Sequence, residues 1–403
     1  MGLKALLCGV AGIGLVAGTA QAQEVSGDVV KIGVLSDMSG VYSDVGGPGS
    51  VAAARMAVED FGGTVLGKPI EVVSADHQNK PDIGSSVTRQ WIDVDGVDMV
   101  TDVPNSGVAL AVQGITRETG RIFVMSGPAT VELTGKQCSP TGFHWTYDTR
   151  ALAVGTGKTI VEEGGDSWYF LTADYAFGHT LEADTTQVVE EAGGEVLGGV
   201  RHPLATSDFS SFLLQAQGSG AKVIGLANAG GDTINSVKQA AEFGITQAGQ
   251  QLAGLLIFIS DIHSLGLETA QGLTLTTGFY WDLDDQTREW SQRFAEAFDG
   301  RMPTMVHAGV YSGTMHYLKA IAEAGTDDGK AVAAKMHEMP VDDFFARNAK
   351  ILANGHVSHD MYLAKVKAPD QSTADWDYYE IVRTIPGEEV ALPVEESGCQ
   401  LSQ

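Results

Sequence analysis

Three loops in the first 130 residues carry the side chains with the clearest chemistry. They are Ser36-Asp37-Met38-Ser39-Gly40, Pro104-Asn105-Ser106-Gly107 and Ser126-Gly127-Pro128-Ala129-Thr130, and each follows a short apolar run. Small hydroxyls, a carboxamide and glycine-rich backbone supply hydrogen-bond donors and acceptors for a small solute, particularly where a helix opens and its first N–H groups are unpaired. Capping of the following helix is an equally ordinary use of Asn105, Ser106 and Thr130. Aromatic walls for such a solute are available at Tyr42, Tyr147, Tyr175, Phe177 and Tyr280, each of which could instead pack in a core. Ser39 and Tyr42 share the first loop, and Asn228 opens a further glycine-rich loop, Asn228-Ala229-Gly230-Gly231-Asp232.

Other chemistries fail on spacing. Gly155-Thr156-Gly157-Lys158-Thr159 invites a phosphate-loop reading, but Leu152 stands where that motif needs glycine, so a helix start is expected. The ten histidines contain no His-x-x-x-His or His-Glu-x-x-His, and no zinc site is expected. Asp282, Asp284 and Asp285 lack the glycine and terminal glutamate of a calcium loop and read as a solvated turn. No nucleophile elbow and no Ser–His–Asp arrangement is legible. Neither an enzyme nor a bound cofactor is therefore expected.

The elements that must position these loops alternate strand and helix. Val29–Leu35, 70–75, 97–103 and 122–125 read as strands, with helices from about Ser50, over 82–95 and over 108–119. The pattern repeats with strands at 168–172, 195–203, 223–227 and 252–259 and helices between them. Such alternation gives parallel sheets with right-handed crossovers, and gathers the loops at the carboxyl edge of each sheet. After an extended run at 273–280, helices at 286–298, 307–324 and 328–339 follow, then a hairpin of 361–366 and 378–384.

The chain has 403 residues, 25 Lys and Arg against 51 Asp and Glu, and a net charge of −26. That length calls for about two domains of ~150–200 residues. The acidic balance argues against nucleic acid and against anionic lipid. Lys4, the apolar stretch from Ala5 to Gly18 and Ala20-Gln21-Ala22 form a signal-peptide pattern, predicting cleavage after Ala22 and export. Cys8 leaves with the leader. Cys138 and Cys399 remain, an even number in an oxidising compartment, which favours one disulfide pinning the C-terminal tail to the loop after Thr134; two free thiols are the alternative.

The stretch VVKIGVLSDMSGVYSDVGGPGSVAAARMAVEDFGG, residues 29–63, resembles the opening of type I periplasmic solute-binding proteins, and within them the branched-chain amino-acid binders of ABC importers. The resemblance extends over essentially the whole chain after the leader. It implies an α/β fold of two Rossmann-like lobes joined by a three-segment hinge, with crossings near 147–150, 276–278 and 350–356. Lobe I would comprise 29–148 plus 278–353, lobe II 149–277 plus 354–390, with 391–403 a tail. It implies that Ser106, Ala129 and Thr130 hold a solute's carboxylate and that Phe177 is the family's aromatic before the glycine of the first strand–helix loop of lobe II. It places an acid of lobe II against the solute's ammonium; Asp261 stands nearby but displaced, and the position that often holds tyrosine after Ala227 is small. A carboxylate lacking an ammonium, such as an aromatic acid, therefore stays open beside an amino acid. The implied protein is a periplasmic monomer that delivers its solute to an ABC permease. A ligand-sensing module of the same fold and a secreted hydrolase are the alternatives.

Overall fold

The computed structural model describes residues 25–347 and 349–401. The leader and its cleavage site lie outside the described residues.

Two sheets organise the chain. The first contains β1 (Val30–Ser36), β2 (Thr64–Val65), β3 (Lys68–Asp76), β4 (Met99–Asp102), β5 (Ile122–Met125) and β6 (Gly142–His144), in the order β2-β3-β1-β4-β5-β6. All its pairings are parallel except the short β2–β3 ladder. Every residue of β4 and β5 is buried, because helices cover both faces and leave no polar side to alternate with. The helix Gly47–Phe61 starts three residues before the predicted Ser50, with Pro48 in its first turn, and buries Ala53, Ala54, Met56 and Ala57. The helix Met305–Ala324 packs along it. They approach so closely at Gly49 that a Cβ there would lie 2.4 Å from His307 Nε2.

The second sheet contains β7 (Ser167–Ala173), β8 (Glu195–His202), β9 (Val223–Ala227), β10 (Gln251–Gly254) and β11 (Thr274–Thr277), all parallel to their neighbours. A small ladder, β12 (Lys350–Ile351) with β13 (Val357–Ser358), precedes β14 (Met361–Val366) and β15 (Tyr379–Ile385), which close the second sheet antiparallel. Its order is β15-β14-β11-β10-β9-β7-β8.

The chain passes between the sheets after β6, after β11 and before β14, since the helices between β11 and β12 pack against the first sheet. A buried polar network fixes the first and third passages together. Asp148 accepts Ala151 N–H at 2.8 Å and lies 3.3 Å from His356 Nδ1, while His359 Nε2 is 2.9 Å from the Thr146 carbonyl. Burial holds His144 and His356 down to about 4, so both are neutral at ordinary pH.

Two local expectations are corrected. The apolar run 252–259 is not one strand: β10 ends at Gly254 and a helix opens at Ile259. Asp261 causes this by accepting the Phe258 N–H at 2.9 Å and capping the new helix. An apolar run alone does not separate a buried strand from a buried helix start. The predicted 82–95 helix is regular only to Gln90; Trp91–Asp95 is a single π-helical turn. The Gly155–Thr159 segment is helical as expected, within helical backbone that runs from Thr149 to Glu162.

Cys138 and Cys399 are bonded, with Cα atoms 5.7 Å apart. The acidic turn is held by arginines: Arg288 reaches Asp282 and Asp285, and Arg347 reaches Asp284.

Candidate functional site

Strand ends from both sheets meet at one cavity. After β1, Asp37 accepts the N–H groups of Gly40 and Tyr42 at 2.7 and 3.0 Å, which coils the loop and turns Tyr42 inward beside Val45. Pro104 follows β4, and Gly127 and Ala129 follow β5. Tyr147, on the first passage between sheets, donates its hydroxyl to the Gly127 carbonyl at 2.6 Å. The second sheet contributes Tyr175 and Phe177 after β7, Ala229 after β9, and Leu256 and Phe258 after β10. The space left for the centre of a water-sized sphere is about 10 Å³, enough for about one water.

The two halves are in hydrogen-bonding contact across this cavity. The Tyr42 and Tyr175 hydroxyls are 2.6 Å apart, Gly231 N–H donates to the Val41 carbonyl at 3.0 Å, and Thr180 Oγ1 donates to Thr130 Oγ1 at 3.2 Å. Gly230 makes the approach possible. Its φ is 56°, and a Cβ there would stand 2.3 Å from the Val41 carbonyl oxygen.

Of the residues singled out from sequence, Tyr42, Ala129, Tyr147, Tyr175 and Phe177 line the cavity. Ser106 and Thr130 border it: the Ala129 and Thr130 amides each donate to Ser106 Oγ at 3.3 Å. Asn105 is engaged as a helix cap, accepting Val108 N–H at 3.1 Å. Asp261 lies behind the cavity-lining Phe258. The other three stand apart from the walls. Ser39 donates to Asp76 at 3.0 Å on the surface. Asn228 accepts Thr233 Oγ1 at 2.8 Å and lies 3.2 Å from His202 Nε2. Tyr280 packs on Tyr379 and Trp281, its hydroxyl 3.4 Å from the Trp376 carbonyl. Six further walls, Val45, Pro104, Gly127, Ala229, Leu256 and Phe258, were not among the residues singled out. Pro104 and Gly127 sat inside loops already singled out, whereas Leu256 was hidden by the strand reading of 252–259.

Sequence reasoning also missed Asp102. This residue and Val103 adopt φ of 76° and 58°, a left-handed pair without glycine at the tip of β4. Asp102 Oδ2 accepts the Ser36 hydroxyl at 2.6 Å. Burial pushes its carboxyl up to about 6, with the Ser36 and Ser50 hydroxyls offsetting part of the effect. Burial likewise pushes Asp232 and Asp261 up to about 7, against backbone donors at Ala205 and Phe258 respectively. Tyr42 and Tyr147 are pushed well above the usual phenol range by burial, and their hydroxyls stay protonated. Among the described residues no cluster of three His, Cys, Asp or Glu could hold a metal, and no helix is long and apolar enough to cross a membrane.

Two α/β lobes, joined by three chain passages and enclosing an aromatic-walled cavity at the carboxyl ends of their strands, define a solute-binding class of protein. The chain belongs to the periplasmic binding protein family, whose model matches residues 29–373. A periplasmic binding protein from Burkholderia mallei has a crystal structure that is 51% identical, covers 93% of this chain and 100% of its own, and superposes with a TM-score of 0.91. A branched chain amino acid ABC transporter periplasmic ligand-binding protein from Burkholderia xenovorans LB400 is 38% identical over 93% of this chain and 100% of its own, with a TM-score of 0.83. The Leu/Ile/Val-binding protein homolog 6 of Brucella melitensis is 27% identical over 86% of this chain and 90% of its own.

Proposed function

We propose that this chain captures an amino acid or related small carboxylate between its lobes and delivers it to the permease of an ABC importer. The observation that carries the reading is a cavity walled by strand ends of both lobes, with the Ala129 and Thr130 amides at its border. When the lobes part, the Tyr42–Tyr175, Gly231–Val41 and Thr180–Thr130 bonds are released. A solute carboxylate then competes with Ser106 Oγ for the two amides, while the aromatic walls exclude water from its body. Closure restores the bonds across the cleft and buries the solute, a hinge motion about the three passages. The relatives named above support the amino-acid branch of this reading. A leader cleaved after Ala22, a periplasmic location and action as a monomer without catalysis complete it.

Thermal unfolding of the mature chain against leucine, isoleucine, valine, phenylalanine and benzoate tests the reading. A bound solute must raise the midpoint in proportion to its occupancy of the folded form. A panel in which none of these, and no other small carboxylate tested, does so at millimolar concentration removes it.

A further inference from the structure

Charge balance around the cavity says more about the solute, given the capture reading on which this inference rests. The rings of Tyr42, Tyr147, Tyr175, Phe177 and Phe258 wall the cavity, and neither Lys nor Arg stands among its walls. Buried carboxylates stand close to these walls. A Cβ on the wall residue Gly127 would fall 2.6 Å from Asp102 Oδ1. Asp232 lies three residues past the wall residue Ala229, and its charge bears on both Tyr42 and Tyr175. Asp261 holds the backbone of Phe258. Asp102 Oδ1 and Asp232 Oδ1 are buried without any hydrogen-bond partner.

The arginines of the surrounding loops do not supply the missing counter-charge. Arg150 pairs with Glu191, Arg201 with Asp174 and Arg301 with Asp44. Each carboxyl has one oxygen bonded, Asp102 to Ser36 and Asp232 to Ala205, but burying the unpaired oxygen is costly, a nearby cation favours the ionised form, and aromatic rings attract cations. The polar tips of the tyrosines are already engaged, Tyr42 with Tyr175 and Tyr147 with the Gly127 carbonyl. With those hydroxyls engaged and no other polar side chain among the walls, the lining suits N-methyl groups better than the three N–H donors of a primary ammonium.

We propose that the solute carries an alkylated, permanently cationic ammonium, boxed by these five rings with Asp102 and Asp232 as its buried counter-charges, and a carboxylate on the Ala129 and Thr130 amides.

Isothermal titration of the mature chain with glycine betaine and with its uncharged-carbon isostere 3,3-dimethylbutanoate, alongside leucine and benzoate, tests this. The expected result is that glycine betaine binds at least about tenfold more tightly than the isostere. The ratio then falls at least about threefold in Asp102→Asn or, should that variant not fold, in Asp232→Asn. An isostere that matches glycine betaine in the unmutated chain overturns the proposal, as does a ratio unmoved in both variants. Binding of leucine or benzoate with no response to glycine betaine overturns it while leaving solute capture intact. Silence toward all four compounds removes both.

Discussion

Asp232 carries a pH response that its burial dictates. Its carboxyl is pushed from an ordinary 3.8 up to about 7. Between those values the folded chain keeps a proton that the unfolded chain has released, so this group's contribution to stability falls as pH rises through the window. Neutral His307, held down to about 4, acts in the opposite sense below its ordinary value of 6.5. Asp232→Asn removes the first effect alone. Its thermal midpoint, compared with that of the unmutated chain, is expected to gain from pH 4 to about pH 7 and then level off; a difference that stays flat across that range shows that Asp232 does not titrate this way. At this scale the wall tyrosines 42, 147 and 175 were legible because each sits where a strand gives way to a loop or where the chain changes lobes. Tyr280 satisfies the same description and still packs elsewhere, on Tyr379 and Trp281. Nothing in local sequence distinguishes the two outcomes, since the choice depends on which partner ring the opposite sheet brings near. Asp102 was illegible for a different reason: an aspartate within an apolar run gives no sign that the backbone there turns left-handed.

The turn at Gly230 sets how closely the lobes approach. With φ at 56° and no room for a Cβ against the Val41 carbonyl, Gly230→Ala must either strain the turn or push the two loops apart. The cost is expected to be about 1–3 kcal/mol against the closed form. A lowered thermal midpoint and a larger radius of gyration by small-angle scattering are the readouts; an unchanged radius places the close contact outside the closure equilibrium. Most elements were readable from their period, because parallel strands buried on both faces form unbroken apolar runs separated by amphipathic helices. The exception at 252–259 arose where that rule is weakest. Leu255, Leu256 and Ile257 are all buried, as a central strand would be, yet they form the bend that carries Leu256 and Phe258 to the cavity.

For the whole molecule, the bond between Cys138 and Cys399 spans 261 residues. Disulfides typically contribute about 2–4 kcal/mol of stability. Cys399→Ser is expected to lose that amount in urea unfolding, and reductant is expected to bring the unmutated chain to the same midpoint; a variant as stable as the parent shows that the tail is held by its other contacts. The bond has a mechanical side as well. β15 belongs to the second sheet, and Cys138 precedes β6 of the first, so the tail returns to the lobe that the chain left before its final strands. The halves are thus strapped together by a covalent tether besides the three peptide passages. A tether anchored to both jaws limits how far and about which axis they can gape, and cutting it by reduction widens the range of the open form without touching a single atom of the cavity.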